Sequence, residues 1–321
     1  MVLDHRKPLD ITAIGLMVGI CTIWAMQQIG LKATESYASS VFQIGIRSGL
    51  AAACVYTLTA FRQKRPLLSG GTALLGALAG LLFALEFLLI GKALEYSTAS
   101  HVVVFLYTAP VFAALGLHLK LSTERLSALQ WGGIFVAVIG IAYAFLTPGA
   151  NQSGTPAAAS MLLGDTLALL AAVLWGATTV LIRTTRLSEL YATHVLFYQL
   201  AITAIILITI AAFTGQAGVI PSAPLFWNLA FQSVIVAFAS FLCWFWMLTR
   251  YKATQLGVFS FLTPLIGVIL GYFLLGDALT TGFLIGSAGV LIGIIIVSAS
   301  PWIERSLRTY RTPRKDQEIT T

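Results

Sequence analysis

The second half of this chain repeats the first half, and both halves are strongly apolar. In each half a tryptophan begins a stripe of side chains at intervals of four residues, namely Trp24, Gln28, Lys32, Trp175, Thr179 and Arg183. A second matched pair of segments, 107–110 (YTAP) and 261–264 (FLTP), ends in proline. Two similar halves in a bilayer can enclose one central site and open it alternately to each side. The repeat therefore points to a carrier.

The composition places the chain in a membrane. Its 321 residues are 58% hydrophobic and 10% charged, whereas soluble domains carry about 25% charged residues. The apolar runs are continuous and lack the period of two found in membrane barrels, so they predict transmembrane helices. The predicted spans, each about 20 residues long, are 11–31, 39–60, 72–92, 97–117, 127–147, 162–182, 192–214, 225–248, 254–275 and 280–300.

The distribution of basic residues predicts the orientation. If the N-terminus is cytoplasmic and the loops alternate, sixteen of the nineteen Lys and Arg residues fall on the cytoplasmic side. This asymmetry follows the positive-inside rule and predicts that both chain ends are cytoplasmic. It also explains the net charge of +7 without nucleic acid as a partner. The basic segment from Arg305 to Lys315 is expected to contact the lipid bilayer.

The repeat divides the chain into four parts. Residues 1–150 form the first repeat, 151–161 a periplasmic linker, 162–300 the second repeat and 301–321 a basic cytoplasmic tail. Five spans per half is an odd number, so the two halves enter the membrane from opposite sides. The expected fold class is an all-α membrane protein with ten transmembrane helices in two inverted five-helix repeats.

Both halves also carry a family resemblance near their last spans. The segment 275–280 (LGDALT) and the Gly-rich helix after it resemble the end of an EamA-type repeat, with a counterpart at 122–126 (STERL). The resemblance implies the drug/metabolite transporter superfamily: ten helices, inverted repeats, cytoplasmic termini and transport of small metabolites. In appearance the chain is most similar to bacterial amino-acid exporters, including those for aromatic amino acids. Two positions depart from the pattern, Asp277 where Glu is usual and Thr123 where Gly is usual.

The matched stripes supply the first candidates for substrate contact. An indole beside an amide or hydroxyl, as in Trp24 with Gln28 and Trp175 with Thr179, can hold a small amphipathic solute. The alternative is helix packing at a seam or at the membrane interface. Phe83 is also expected to bind substrate.

The two prolines predict hinges. Pro110 and Pro264 fall near the middle of the fourth and ninth spans, where proline removes a backbone hydrogen bond and bends a helix. Tyr107, Phe259 and Ser260 precede these bends and are expected to face the substrate. A static packing kink is the alternative interpretation.

Two charges lie deep in apolar sequence and have no counterpart in the other half. Arg47 and Glu86 stand opposite Thr203 and Phe241 in the repeat. Their depths differ by roughly 4–5 Å at 1.5 Å per residue, and an unpaired charge costs at least ~2.5–3.5 kcal/mol at such depth. We therefore predict an intramembrane ion pair. Glu86 is also a candidate for binding the charged end of a substrate or a proton, the alternative being a purely structural pair.

Three further polar residues are assigned structural roles. His101 is expected to be an ordinary interfacial residue, although imidazole can titrate near neutral pH. Glu124 and Asp277 precede the fifth and tenth spans, where an acid meets the helix dipole favourably, so both are interpreted as caps of those helices.

Other functional classes are disfavoured by what the sequence lacks. Cys21, Cys54 and Cys243 all fall inside spans, which argues against disulfides and metal binding, and neither a metal nor a cofactor is expected. No nucleophile–base pair suits an intramembrane enzyme, and no ring of charges suits a channel. The sequence thus predicts a transporter of the bacterial inner membrane that exports small neutral or zwitterionic metabolites, with quaternary amines or drugs as the alternative. Protons are a further candidate partner, and no oligomer is required.

Overall fold

The computed structural model describes residues 10–62, 71–122, 125–146, 156–251, 256 and 259–311, and its regular elements are helices. The helices in chain order are α1 Ile11–Ala33, α2 Ser40–Arg62, α3 Ala73–Tyr96, α4 Ala99–Leu106, α5 Ala109–Lys120, α6 Ala128–Leu146, α7 Pro156–Thr184, α8 Ala192–Phe213, α9 Ala223–Ala230, α10 Phe241–Arg250, α11 Leu262–Leu270 and α12 Thr281–Arg311. Two π-helical segments continue α9 and α11, at Phe231–Ser240 and Gly271–Leu275.

The apolar helices account for the membrane spans. Within the described residues, eight helical segments are long and apolar enough to cross a bilayer, counting α4 with α5 and α9 with the residues that follow it. Two shorter apolar helices, Ala128–Ala144 and Leu262–Leu275, lie where the fifth and ninth spans were predicted. The protein is therefore a multi-pass, all-helical membrane protein.

Two helices extend past predicted segment boundaries. Residues 156–161 were assigned to the linker, but α7 already begins at Pro156. Proline suits the first position of a helix, because its missing N–H would have no partner there. Residues 301–311 were assigned to the tail, but they continue α12. The sequence between 147 and 155 lies outside the described residues.

The last helices of the two halves pack closely on each other through glycine. A side-chain carbon added at Gly140 of α6 would lie 2.5 Å from the backbone nitrogen of Val290 in α12. Such a distance leaves no room for any side chain, so the two backbones approach each other directly. This pairing joins the two halves, since α6 belongs to the first and α12 to the second.

Helix α4 is short and lies at the centre of the bundle. All eight of its residues are buried, from Ala99 to Leu106. Because no residue of this helix is exposed, it is packed all round by other parts of the protein. It contacts α7 and α11 of the second half as well as α1 and α3 of the first.

Candidate functional site

A cavity with an empty volume of about 510 Å³ lies between the two halves. The first half lines the cavity from α1, α3 and the end of α4, and the second half lines it from α7 and α10. The lining residues are Trp24, Gln27, Gln28, Phe83, Glu86, Phe87, Leu106, Tyr107, Trp175 and Phe241. Ligand pockets for small molecules commonly combine an apolar lining with a few convergent polar groups.

The cavity brings together six of the nine residues predicted to bind substrate. These are Trp24, Gln28, Phe83, Glu86, Tyr107 and Trp175. The other three lie outside its lining. Thr179 donates its hydroxyl to the carbonyl of Trp175 one turn earlier, and the carbonyl of Phe259 accepts a hydrogen bond from Cys21 Sγ at 3.4 Å. Ser260 belongs to the turn before α11, where its carbonyl accepts from Thr263 N.

The aromatic walls are fixed by contacts across the two halves. Trp24 Nε1 donates to Ser240 Oγ at 2.8 Å, and its ring meets that of Trp244 edge-on, with centroids 5.5 Å apart. Tyr107 and Trp175 form a second perpendicular pair, with centroids 5.4 Å apart. Edge-to-face packing of this kind is favourable beyond its buried area. The rings are therefore pre-positioned around the cavity.

The direct contacts of Arg47 are with residues other than Glu86, so the predicted ion pair stays a prediction. Its Nη1 donates to Gln232 Oε1 at 2.7 Å, and its guanidinium lies 4.7 Å above the Phe87 ring. Glu86 is near enough to attract Arg47 electrostatically but makes no direct hydrogen bond to it. Gln232, which is fully buried, takes the place of Glu86 because its amide oxygen reaches the guanidinium from a π-helical segment of the second half.

Glu86 therefore faces the cavity without a direct counter-charge. Its side chain is only 4% exposed, and its Oε2 atom is buried without a hydrogen-bond partner. Gln28 Oε1, which belongs to α1, is also buried and unpartnered. Buried polar groups in proteins are almost always hydrogen-bonded, and those that are not call for an explanation. Both oxygens belong to residues that line the cavity but are themselves inaccessible to water, so a bound solute reaches them only when these side chains turn towards it.

The sequence placed both prolines near the middle of a helix, but neither lies there. The helix breaks at Tyr107 and Thr108, and Pro110 stands in the first turn of α5. Likewise α11 begins at Leu262, so Pro264 stands in its first turn. The first N–H groups of a helix have no partner within it, so proline costs nothing there. Each proline thus follows a discontinuity in its span, and the prediction of hinge motion at these points stays a prediction.

At one end of the bundle, a buried polar cluster joins the halves. His101 Nδ1 lies 2.8 Å from Asp165 Oδ2, and Ser97 Oγ donates to Asp165 Oδ1 at 2.5 Å. The imidazole also stacks on Phe283 of α12, with centroids 3.7 Å apart. His101 is only 5% exposed, so its assignment as an interfacial residue is wrong.

The expected cap at Asp277 is also wrong. Its Oδ2 accepts hydrogen bonds from Ser100 N at 2.9 Å and Ser100 Oγ at 2.6 Å, so it binds the start of α4. Thr280 accepts from Phe283 N in its place. The left-handed conformation of Gly276, at φ 70°, ends the preceding helical segment and suits a residue without a side chain. Glu124 lies outside the described residues.

Sequence reasoning missed Gln232, Asp165 and Ser240, which position other site residues. Gln232 and Asp165 stood out as polar residues within apolar runs, which is the available signal. Gln232 also donates from Nε2 to the carbonyl of Gln27 at 2.8 Å. Ser240 gave no signal, because single serines are common in transmembrane helices.

The comparisons with known proteins agree with this architecture. The EamA-like transporter family matches residues 11–146 and again 162–299. An uncharacterized transporter of Bacillus subtilis (strain 168), YoaV, is 20% identical over 285 residues, which are 87% of this chain and 94% of that protein. An uncharacterized transporter of Archaeoglobus fulgidus is 26% identical over 288 residues, 86% and 94% of the two chains.

A solved crystal structure has the same fold, with a TM-score of 0.63 and 18% identity over 93% of this chain and 99% of the other. Both halves match one family of transporters, and both named relatives align over nearly their whole length. The chain therefore belongs to the EamA-like transporter family and is a membrane transporter, not an enzyme.

Proposed function

We propose that this protein is a secondary transporter that exports small neutral or zwitterionic metabolites, amino acids including aromatic ones among them, by alternating access. Its proposed location is the bacterial inner membrane, with ten spans and both termini in the cytoplasm. The observation that carries the proposal is the aromatic cavity between the halves, in which Glu86 and Gln28 offer unpartnered oxygen atoms.

Helix directions support the inverted repeat. Lys32, near the end of α1, donates to the carbonyl of Leu94, near the end of α3. Ser97, just beyond α3, bonds to Asp165 in the first part of α7. The end of α1 and the start of α7 therefore lie at the same end of the bundle, so these two equivalent helices run in opposite directions. That arrangement is what alternating access by rocking of two repeats requires.

The lining suits a solute with an ammonium group and an apolar body. Glu86 can accept hydrogen bonds from an ammonium, and the rings of Trp24, Trp175 and Tyr107 can cover an aliphatic or aromatic side chain. Phosphorylated solutes are disfavoured, because no Lys or Arg is among the described residues that line the cavity.

The same observation favours quaternary or other organic amines as the second candidate. A zwitterion brings a carboxylate that would need a donor, and Arg47 is not among the described residues that line the cavity. A cation needs only Glu86 and the ring faces, which attract it through their quadrupoles.

A competition screen on the purified protein in liposomes distinguishes the two candidates. Phenylalanine, tyrosine and leucine are compared with phenethylamine, tyramine and choline at two pH gradients, each as a competitor of a transported labelled solute. Competition by the amino acids supports the first candidate, and competition by the amines alone supports the second. Absence of competition by either set would contradict the assignment of this cavity.

A further inference from the structure

We propose that the cavity is closed at its two ends by two reciprocal latches, each made by a carboxylate of one half and a hydroxyl of the other. The first latch consists of Asp165 with Ser97 and His101. The second consists of Asp10 with Tyr251. The inference rests on the proposed alternating access and adds the residues that hold each end shut.

The first latch is buried and has several bonds. Both oxygens of Asp165 are engaged, Oδ1 by Ser97 Oγ at 2.5 Å and Oδ2 by His101 Nδ1 at 2.8 Å. Asp277 reinforces the same end by binding Ser100. Hydrogen bonds to a buried carboxylate are stronger than neutral ones, so this end of the cavity is firmly held.

The second latch is more open to water. Tyr251 Oη lies 3.2 Å from Asp10 Oδ1 and 3.1 Å from Asp10 Oδ2. Asp10 also caps α1, since its Oδ1 accepts from Ala13 N at 2.8 Å. Tyr251 is buried whereas Asp10 is exposed, so water can compete for this bond.

The two latches lie at opposite ends of the bundle. Asp10 stands before the first residue of α1, and Lys32 near the end of α1 contacts Leu94, three residues before Ser97. At 1.5 Å per residue the 22 positions from Asp10 to Lys32 span about 33 Å. One latch is therefore on each side of the cavity.

The repeat relates the two latches to each other. Ser97 and Tyr251 are 154 positions apart, as are Tyr107 and Phe261 (251 − 97 and 261 − 107). Each latch ties the first helix of one half, α7 or α1, to the residue that follows the third span of the other half. Asp165 and Asp10 are not strictly equivalent, since the offset of 151 between Trp24 and Trp175 places Asp165 opposite position 14 (165 − 151). They differ by about one helical turn.

The latches act on helices that line the cavity. Asp165 shares α7 with Trp175, and Asp10 begins α1, which carries Trp24 and Gln28. Opening either end of the cavity must separate these helices from the other half. In the proposed cycle one latch breaks while the other holds, so the solute is never in contact with both sides at once.

The test measures access to the cavity from each face of the membrane. Cys21, Cys54 and Cys243 are replaced by alanine, and Leu106→Cys supplies a reporter thiol in the cavity lining. A membrane-impermeant maleimide is applied to right-side-out and inside-out vesicles. Asp165→Ala weakens the first latch, and Tyr251→Phe removes only the hydroxyl of the second.

Two matched controls remove groups that take no part in either latch. Thr166→Ala changes the residue next to Asp165. The Thr166 hydroxyl donates to a carbonyl of its own helix. Tyr56→Phe removes a phenolic hydroxyl from an exposed side chain. Size-exclusion profiles and thermal unfolding establish that each variant is folded before its labelling rate is measured.

The expected result is an opposite effect on the two faces. Asp165→Ala raises the labelling rate about tenfold from one face, and Tyr251→Phe raises it by about threefold from the other, because the first latch is buried and water competes for the second. Unchanged rates in folded variants, or increases from the same face in both, would overturn the latches. The readout needs no transported solute, so its failure is distinct from a failure of the liposome screen.

Discussion

The cavity and the α6–α12 contact are held together in different ways. Between α6 and α12 the backbones meet at glycines, as at Gly140 against Val290. The stability of this contact depends on how closely the two backbones pack. Around the cavity the side chains are large and several polar atoms have no partner, such as Glu86 Oε2 and Gln28 Oε1. Changes at the α6–α12 contact should therefore affect stability, and changes in the residues that line the cavity should affect transport.

The largest effect is expected behind the cavity wall, at Arg47. Arg47→Ala leaves the Gln232 amide and the nearby Glu86 charge without their partner, and losing one member of a buried charged group costs about 3–5 kcal/mol. Thermal unfolding in detergent should show a large loss of stability. Thr203→Val is the matched control at the equivalent place in the second half, because its hydroxyl has no partner.

The same site offers a second comparison through the double variant Arg47→Met with Glu86→Gln. If the two charges attract each other, the double change costs less free energy of unfolding than the sum of the single changes. Strict additivity would show that Glu86 does not interact with Arg47. Gln232 would then be the important polar contact of Arg47.

A smaller loss of stability is expected at the glycine contact. Gly140→Leu forces a side chain between α6 and α12 and should destabilise the fold by about 1–3 kcal/mol, as over-packing does. Gly132→Leu, on the same helix but with no atom within 4 Å of the added carbon, should be tolerated. Transport per folded molecule should be unchanged in both, and a specific transport defect in Gly140→Leu would blur the distinction between the two regions.

The cavity itself should respond in transport more than in stability. Trp175→Phe keeps an aromatic ring but reduces the surface that faces the solute, so we expect about a tenfold rise in the half-saturation concentration, equivalent to about 1.4 kcal/mol. Trp227→Phe is the control, since Trp227 is exposed on α9. Equal transport by both variants would remove Trp175 from the site.

The smallest effect is expected at the helix discontinuities. Pro110→Ala should change stability by less than about 1 kcal/mol, because proline in a first turn breaks no hydrogen bond. Circular dichroism and thermal unfolding measure this. A large loss would mean that the proline itself imposes the break after Leu106.

The sequence predicted the internal repeat and the apolar helices. The helices and the lining by Trp24, Trp175 and Tyr107 follow from matched residues in two similar halves. The partner of Arg47 could not be predicted, because Gln232 is 185 positions away and the symmetry argument paired the two unmatched charges instead.

Local rules also failed where tertiary contacts took over. Asp277 satisfies every local condition for a helix cap, yet its carboxylate binds Ser100 of the other half. Pro110 was placed inside an apolar run with no sign of a break, since residue type alone does not distinguish a kink from the start of a new helix. Thr179 lies one turn from Trp175 but uses its hydroxyl within the helix.

The most direct test of the account is counterflow of a labelled solute into liposomes that contain the purified protein. A carrier with a single cavity between two halves predicts saturable uptake that is accelerated by unlabelled solute inside and reduced by Trp175→Phe. Uptake that rises linearly with concentration and ignores the internal solute would contradict it.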